Sequence, residues 1–251
     1  MVSALLIFRR DQFLFSDRFA SLEDALADGP GVLDLFSGSR GHASDLKKLG
    51  ARWILCFDIK HHESEDLSLS SVQQSLVIKL TELGAFFAMG AGPVCASFST
   101  AITPPARTLQ YPQGVPWASP LQQQKNLAGN MQLLFILWLV RVCLRKRVIW
   151  WVENPDGSWI WRQTGELSWD AILRDPSVGD LRLDYCRFGT RWRKRTRFRT
   201  SSHVADQRCF CRCLEPHVVL RGRCKQAKMN YTQLAEAYPR GQPNSGSSST
   251  D

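Results

Sequence analysis

Acidic residues are in short supply in this 251-residue chain: 23 Asp and Glu stand against 32 Lys and Arg, a net charge of +9. That imbalance favours a polyanionic partner, nucleic acid before an anionic membrane. Long apolar runs are also missing. The longest, Leu133 to Val142, is interrupted by Arg141 and falls short of the roughly 20 residues needed to span a bilayer, so no transmembrane segment is expected. The apolar opening M-V-S-A-L-L-I-F has no basic region before it and runs straight into Arg9, Arg10 and Asp11, which argues against a secretion signal. The eight cysteines are scattered along the chain and do not resemble the framework of a small disulfide-stapled domain, so a reducing, intracellular setting is expected, nuclear or cytoplasmic. No internal repeat is present.

What the chain does contain is enough for one well-packed domain and a small appendage: 44% of its residues are hydrophobic and 10% aromatic. Residues 16–28 space Phe19, Leu22 and Leu26 as a short helix, with Ser21 as a candidate N-cap. Gly29-Pro30-Gly31 breaks that pattern. Val32 to Phe36 then reads as a buried strand, Ser37 to Gly41 as a glycine turn, His42 to Leu49 as a helix and Trp53 to Ile59 as a second strand. Strand, glycine turn, helix, strand is the opening of a doubly wound α/β sheet. The alternation continues through a helix at Leu69 to Leu83, a strand at Ala85 to Ala91, a long helix at Asn126 to Leu144 and a strand at Val148 to Val152. Between them, residues 102–120 hold six prolines and glycines and read as a loop long enough to act as a lid. The expected organisation is a lead-in (1–30), a catalytic α/β domain (31–200), a short Cys/Arg-rich segment (201–240) and a flexible tail (241–251).

Two short motifs carry the chemistry. G-P-V-C-A-S-F-S, residues 92–99, puts Cys95 on a polar turn just after an apolar strand, at the carboxyl edge of the sheet where α/β folds bind ligands. Most free cysteines are small buried hydrophobes, but this setting suits a nucleophile. Glu153-Asn154-Pro155 ends the next strand and offers a carboxyl group as acid partner. Upstream, Asp34 to Gly41 (D-L-F-S-G-S-R-G) aims backbone N–H groups and a helix N-terminus at a ligand, with Gly38 permitting close approach. Asp58, ending the next strand, lies where such folds hold a ribose hydroxyl pair. Asp66 suits an adenine amino group or, equally, a helix N-terminus.

These motifs and the R-W-R-K-R-T-R run at 191–197, in this order, resemble the DNA (cytosine-5)-methyltransferases over roughly residues 31 to 200. The resemblance implies a Rossmann-like methyltransferase fold, S-adenosyl-L-methionine as cofactor and DNA as partner, with RNA possible because one branch of that family methylates tRNA. A non-catalytic relative that keeps the fold and binds nucleic acid is the rival reading. By the resemblance, Cys95 is the nucleophile and Glu153 the acid. Asn154 would orient Glu153, and Arg193 and Arg195 would contact the flipped nucleotide. Phe36, Gly38 and Asp58 would line the cofactor pocket, in which Asp34, Gly41, Asp66 and Pro93 are also expected.

Two further features stay open between bland and functional readings. The basic run from Arg187 to Arg199, interleaved with Trp192 and Phe198, is a nucleic-acid surface or a strand face, the former favoured by the overall charge. Cys209, Cys211, Cys213 and His217 form a C-x-C-x-C-x3-H cluster with Cys224 nearby. It is a zinc site or a set of thiols in a loop, and the spacing, tighter than in ordinary fingers, leaves the expected metal at none.

Overall fold

The computed structural model describes residues 13–14, 22–67, 71–203, 206–220, 223–224, 227–230 and 235. Its centre is an eight-stranded mixed sheet. Four strands run parallel: β2 (Gly31–Leu35), β3 (Ile54–Phe57), β4 (Phe86–Ala91) and β5 (Ile149–Pro155). A two-residue β1 (Phe13–Leu14) pairs antiparallel with β3. On the other side, β7 (Arg195–Thr200) is antiparallel to both β5 and β6 (Gly179–Asp184), and β8 (Arg208–Cys209) adds to β6. The order is β1-β3-β2-β4-β5-β7-β6-β8. A separate two-stranded ribbon joins β9 (Arg223–Cys224) to β10 (Met229–Asn230). The α/β expectation therefore stands at the level of a mostly parallel mixed sheet, compatible with a Rossmann-like fold.

Side-chain alternation along the strands builds two cores. Leu33, Leu35, Leu55, Phe57, Met89, Trp150 and Val152 pack on one face with α3 (Ser71–Glu82) and α4 (Pro120–Lys146). Val32, Ile54, Cys56 and Ala88 pack on the other around Ala43 and Leu46 of α2 (Gly41–Lys48). Near-continuous apolar strands are what burial on both faces demands. The chain winds outward from β2 in both directions, to β3 on one side and to β4 and β5 on the other. This puts a topological switch point, the usual ligand crevice, between the carboxyl ends of β2 and β4. There Gly92 N–H donates to the Leu35 carbonyl at 3.1 Å and ties the two exits together.

Several boundaries moved. The lead-in helix is α1, Leu22–Ala27; Phe19 and Ser21 lie outside the described residues, as do most of the lead-in, all of the tail and most of 221–240. β2 stops at Leu35 because Phe36 turns to a left-handed φ of 57°. α4 begins at Pro120, well before the expected Asn126: Ser119 caps it, accepting from Gln122 N–H at 3.3 Å, and Pro120 sits at its first turn, where a missing N–H costs nothing. It ends at Arg147 in a left-handed cap bonded to Cys143 and Leu144 carbonyls. With 27 residues and a mean hydropathy of 1.8 in its most apolar window, α4 is long and apolar enough to cross a membrane, contrary to expectation; 56% of that window is buried against the rest of the fold, as in a core helix.

A glycine in the middle of α4 has a packing reason. At Gly129 a Cβ would lie 2.2 Å from Ser97 Oγ and 3.2 Å from the Phe98 ring, so only glycine lets the cysteine turn sit on the helix. Gly129→Ala gains about 1 kcal/mol of helix propensity against about 1–3 kcal/mol of overpacking. A lowered melting temperature is the expected result, and an unchanged or raised one would mean that the turn yields freely.

Candidate active site at the carboxyl edge of the sheet

Cys95 opens a short 3-10 turn, Cys95–Phe98, directly after β4, and is half-buried. The turn is staked from below by Arg107, a guanidinium 2% exposed. Its Nε donates to Ser97 O at 2.7 Å and its two terminal nitrogens to Pro112 O (2.8 Å), Asn130 Oδ1 (2.8 Å) and Asn126 O (3.1 Å). It also lies 4.2 Å from the Phe98 ring centroid. Burial lowers this group to about 10, still charged at neutral pH. The 102–120 segment is indeed a loop, but this arginine and Asn126, which donates to Ala106 O at 3.2 Å, pin it to α4. It is a buttress for the cysteine turn where a lid was expected.

Glu153 lies near the end of β5, buried, with the same strand parity as Trp151 and thus on the α2 face. Tyr185 Oη donates to its Oε1 at 3.4 Å, and Lys194 Nζ lies 3.7 Å from the same oxygen and 4.9 Å from the Tyr185 ring centroid. Burial raises the Glu153 pKa; Lys194, Tyr185 and the nearby His42 oppose that rise without cancelling it. A carboxyl group so placed holds a proton more readily than an ordinary glutamate. Burial, Glu153 and, more weakly, Cys95 all push the Tyr185 phenol up, so the tyrosine senses both motif residues. Asn154, on the opposite face of β5, donates to the Pro93 carbonyl at 3.0 Å and joins the glutamate strand to the cysteine turn. Its Oδ1 is buried without a hydrogen-bond partner. Of the other core thiols, Cys56 and Cys143 are buried and pushed up, the latter to about 12, which makes them inert.

The glycine turn lies beside this pair. Gly38 has a φ of 55°, and a Cβ there would meet nothing within 4 Å, so space opens next to it. Asp34 is buried at the end of β2, with Oδ1 3.8 Å from His42 Nδ1 and Oδ2 without a partner. Asp58 is buried at the end of β3: Oδ2 accepts from Gly38 N–H at 2.7 Å and Oδ1 from Lys60 N–H at 2.8 Å. Its carboxylate holds the turn in shape, and the Gly38 N–H is spent on it. Behind it, buried Glu65 accepts from Asp58 N–H at 2.9 Å and draws Arg40 to 3.9 Å. Phe36, Gly41 and Asp66 are half-buried around the same turn, Pro93 is buried, and Gly41 opens α2.

In the arginine motif, both Arg193 and Arg195 turn toward Asp184. Arg195 forms a two-pronged pair with buried Asp184, both contacts at 3.0 Å, and stacks 4.2 Å from the Phe210 ring centroid. Burial pushes Asp184 up, but Arg195, the Cys211 amide and Arg193 together hold it below the ordinary range. Arg193 is half-exposed, 3.8 Å from the same carboxylate. The cation that reaches Glu153 is Lys194, between them. Further along, Arg197 and Arg199 face Asp156 and Asp180 at 2.7 to 3.2 Å and lie over Trp161 and Trp169. The strand part of the basic run, Arg195, Arg197 and Arg199, is thus an internal ion-pair ladder on one face of β7, because period-2 spacing meets acidic residues across the sheet. Arg187, Arg191 and Arg193 at the β6–β7 tip remain exposed.

Sequence reading missed Tyr185, Lys194 and Arg107. Tyr185 and Lys194 are brought together only by the hairpin, where Tyr185 N–H donates to Lys194 O at 3.1 Å. An open cleft of about 560 Å³ lies at the opposite, amino edge between Pro30, Phe86 and Ile149, away from all of these groups. No protein-family model and no curated protein matches this chain, which leaves its own side chains to carry a functional reading.

Proposed function

We propose that this chain is an S-adenosyl-L-methionine-dependent methyltransferase acting on carbon 5 of cytosine in DNA. The observation that carries the reading is the buried Glu153, whose pKa burial raises, held by Tyr185 and joined to the Cys95 turn through Asn154 at the carboxyl edge of the sheet. In that reading a cytosine leaves the stack and enters the site. Glu153 shares its proton with ring nitrogen 3, which makes carbon 6 electron-poor, and the Cys95 thiolate adds there. Carbon 5 becomes nucleophilic and is methylated; loss of its proton and expulsion of the Cys95 sulfur restore the ring. Lys194 and Tyr185 steady Glu153 as its charge changes.

S-adenosyl-L-methionine, when bound, supplies the methyl group. The residues present fit it: the space beside Gly38 and the unpartnered Asp34 Oδ2 lie at the adjoining turn, and Asp34, Phe36, Gly38 and Pro93 would hold it. Asp58 supports that turn from behind. Arg187, Arg191 and Arg193 offer positive charge to the polyanion.

The test is a mechanism-based trap. Protein mixed with labelled cofactor and an oligonucleotide carrying 5-fluorocytosine, in DNA and RNA versions, is expected to give a denaturation-resistant adduct with DNA, because fluorine cannot leave as the carbon-5 proton does. Cys95→Ser is expected to give none. Binding without an adduct to either polymer would overturn the enzyme reading in favour of a non-catalytic binding module, and an RNA-only adduct would reassign the substrate.

A further inference from the structure

We infer that Cys186, Cys211, Cys213 and His217 form a four-ligand zinc site that clamps the segment 206–220 onto the β6–β7 hairpin. Their ligand atoms lie within 4.8 Å of one another. In a tetrahedral Cys3His site with Zn–S near 2.3 Å, sulfurs stand about 3.8 Å apart, so the four groups need little movement to close on an ion. Cys211 Sγ is already 3.5 Å from His217 Nε2, and Cys213 N–H points at Cys211 Sγ at 3.3 Å, an amide-to-sulfur contact that suits a thiolate. Binding would displace the thiol protons and leave the imidazole neutral.

This ligand set differs from the one the sequence suggested. Cys209 is held in β8 opposite Leu183, and Cys224 in β9 opposite Met229; neither joins the four. Cys186, buried in the 3-10 turn that follows β6, takes the place of Cys209. Three of the four ligands therefore come from one loop and the fourth from the hairpin, the division expected of a clamp.

The surroundings are built to hold that clamp. Cys211 N–H donates to Asp184 Oδ2 at 2.9 Å, the carboxylate that grips Arg195, and Val218 N–H donates to Arg191 O at 2.9 Å. Phe210 lies under Arg195. Cys186 directly follows Tyr185, so an ion here would fix the hairpin that carries Tyr185 and Lys194 to Glu153. The role is structural: with four protein ligands, no position stays open for water or substrate.

The experiment uses the full chain prepared in zinc-containing medium, with metal content read by plasma emission and cysteine alkylation mapped by mass spectrometry with and without chelator. About one zinc per chain is expected. Cys186, Cys211 and Cys213 should alkylate slowly until chelator is added, while the rate at Cys209 stays unchanged. Cys186→Ala should lose the metal and Cys209→Ala keep it. The inference is overturned by a metal-free chain whose Cys211 and Cys213 react equally fast with and without chelator, by a disulfide among these cysteines in place of metal, or by metal lost in Cys209→Ala and retained in Cys186→Ala. The alkylation arm uses the unaltered protein, so a variant that fails to fold does not decide the outcome. None of these readouts depends on methyl transfer.

Discussion

Arg107→Ala is expected to destabilise the fold by on the order of 4 kcal/mol, a large share of the 5–15 kcal/mol typical of a domain. The guanidinium is buried and donates to three backbone carbonyls and the Asn130 side chain. Truncation leaves those acceptors unsatisfied in a dry environment, at about 1–3 kcal/mol for a group that finds no new partner, and opens a cavity under Phe98. Arg107→Lys keeps the charge but not the planar fork, so it should recover only part of the loss. Urea unfolding checks this: the midpoint should fall with the slope unchanged. A midpoint within experimental scatter of the parent would mean that water replaces the arginine at no cost. Because Ser97 O is among the acceptors, the Cys95 turn should loosen first, and Cys95 should alkylate faster in Arg107→Ala below the unfolding transition.

On the proposed function, Glu153→Gln is expected to reduce methyl transfer about 10²–10⁴-fold, the usual contribution of a positioned acid, while making the protein more heat-resistant at neutral pH. The two effects share one cause. Burial raises the Glu153 pKa in the folded state, so the native protein binds a proton more tightly than the unfolded chain, where glutamate titrates near 4.3. A raised carboxyl pKa means that stability falls as pH rises from the unfolded value through the folded one. Glutamine carries no such penalty. The gain in melting temperature should therefore be present at pH 8 and shrink as pH is lowered toward about 4. Calorimetry across that range decides it. A variant less stable than the parent at pH 8 would show that the Lys194 contact outweighs the cost of burying the charge.

Much of the scaffold was legible because it depends on local patterns. Apolar runs too short for helices, separated by Gly-rich turns and 3.6-period segments, specify parallel strands and crossover helices without reference to distant contacts. The error at α4 was also local: Ser119-Pro120 is an N-terminal helix signature, and the prolines before it drew it into the loop. Cys95 and Glu153 were legible for a similar reason, since a strand's end places its next residues at the ligand edge whatever the rest of the chain does.

Partner choice, by contrast, belongs to the tertiary structure. Arg195, Arg197 and Arg199 read in one dimension as a nucleic-acid surface or a strand face, and only strand pairing sets Asp156, Asp180 and Asp184 against them. Asp58 was legible as an acidic residue at a strand end, but only the fold turns its carboxylate onto Gly38 N–H. Cys186 and Cys211 meet through the β6–β7 hairpin and the return of the segment after β8, a juxtaposition no spacing rule contains. The sequence by itself determined the alternating α/β frame, the positive charge and the placing of Cys95 and Glu153 at strand ends, because each follows from neighbours along the chain. Which cation faces Glu153, which arginine holds up the cysteine turn and which thiols gather around His217 were decided in three dimensions. Those pairings rest on burial and on contacts between residues far apart in the chain, and the free energy of a buried polar group depends on what surrounds it.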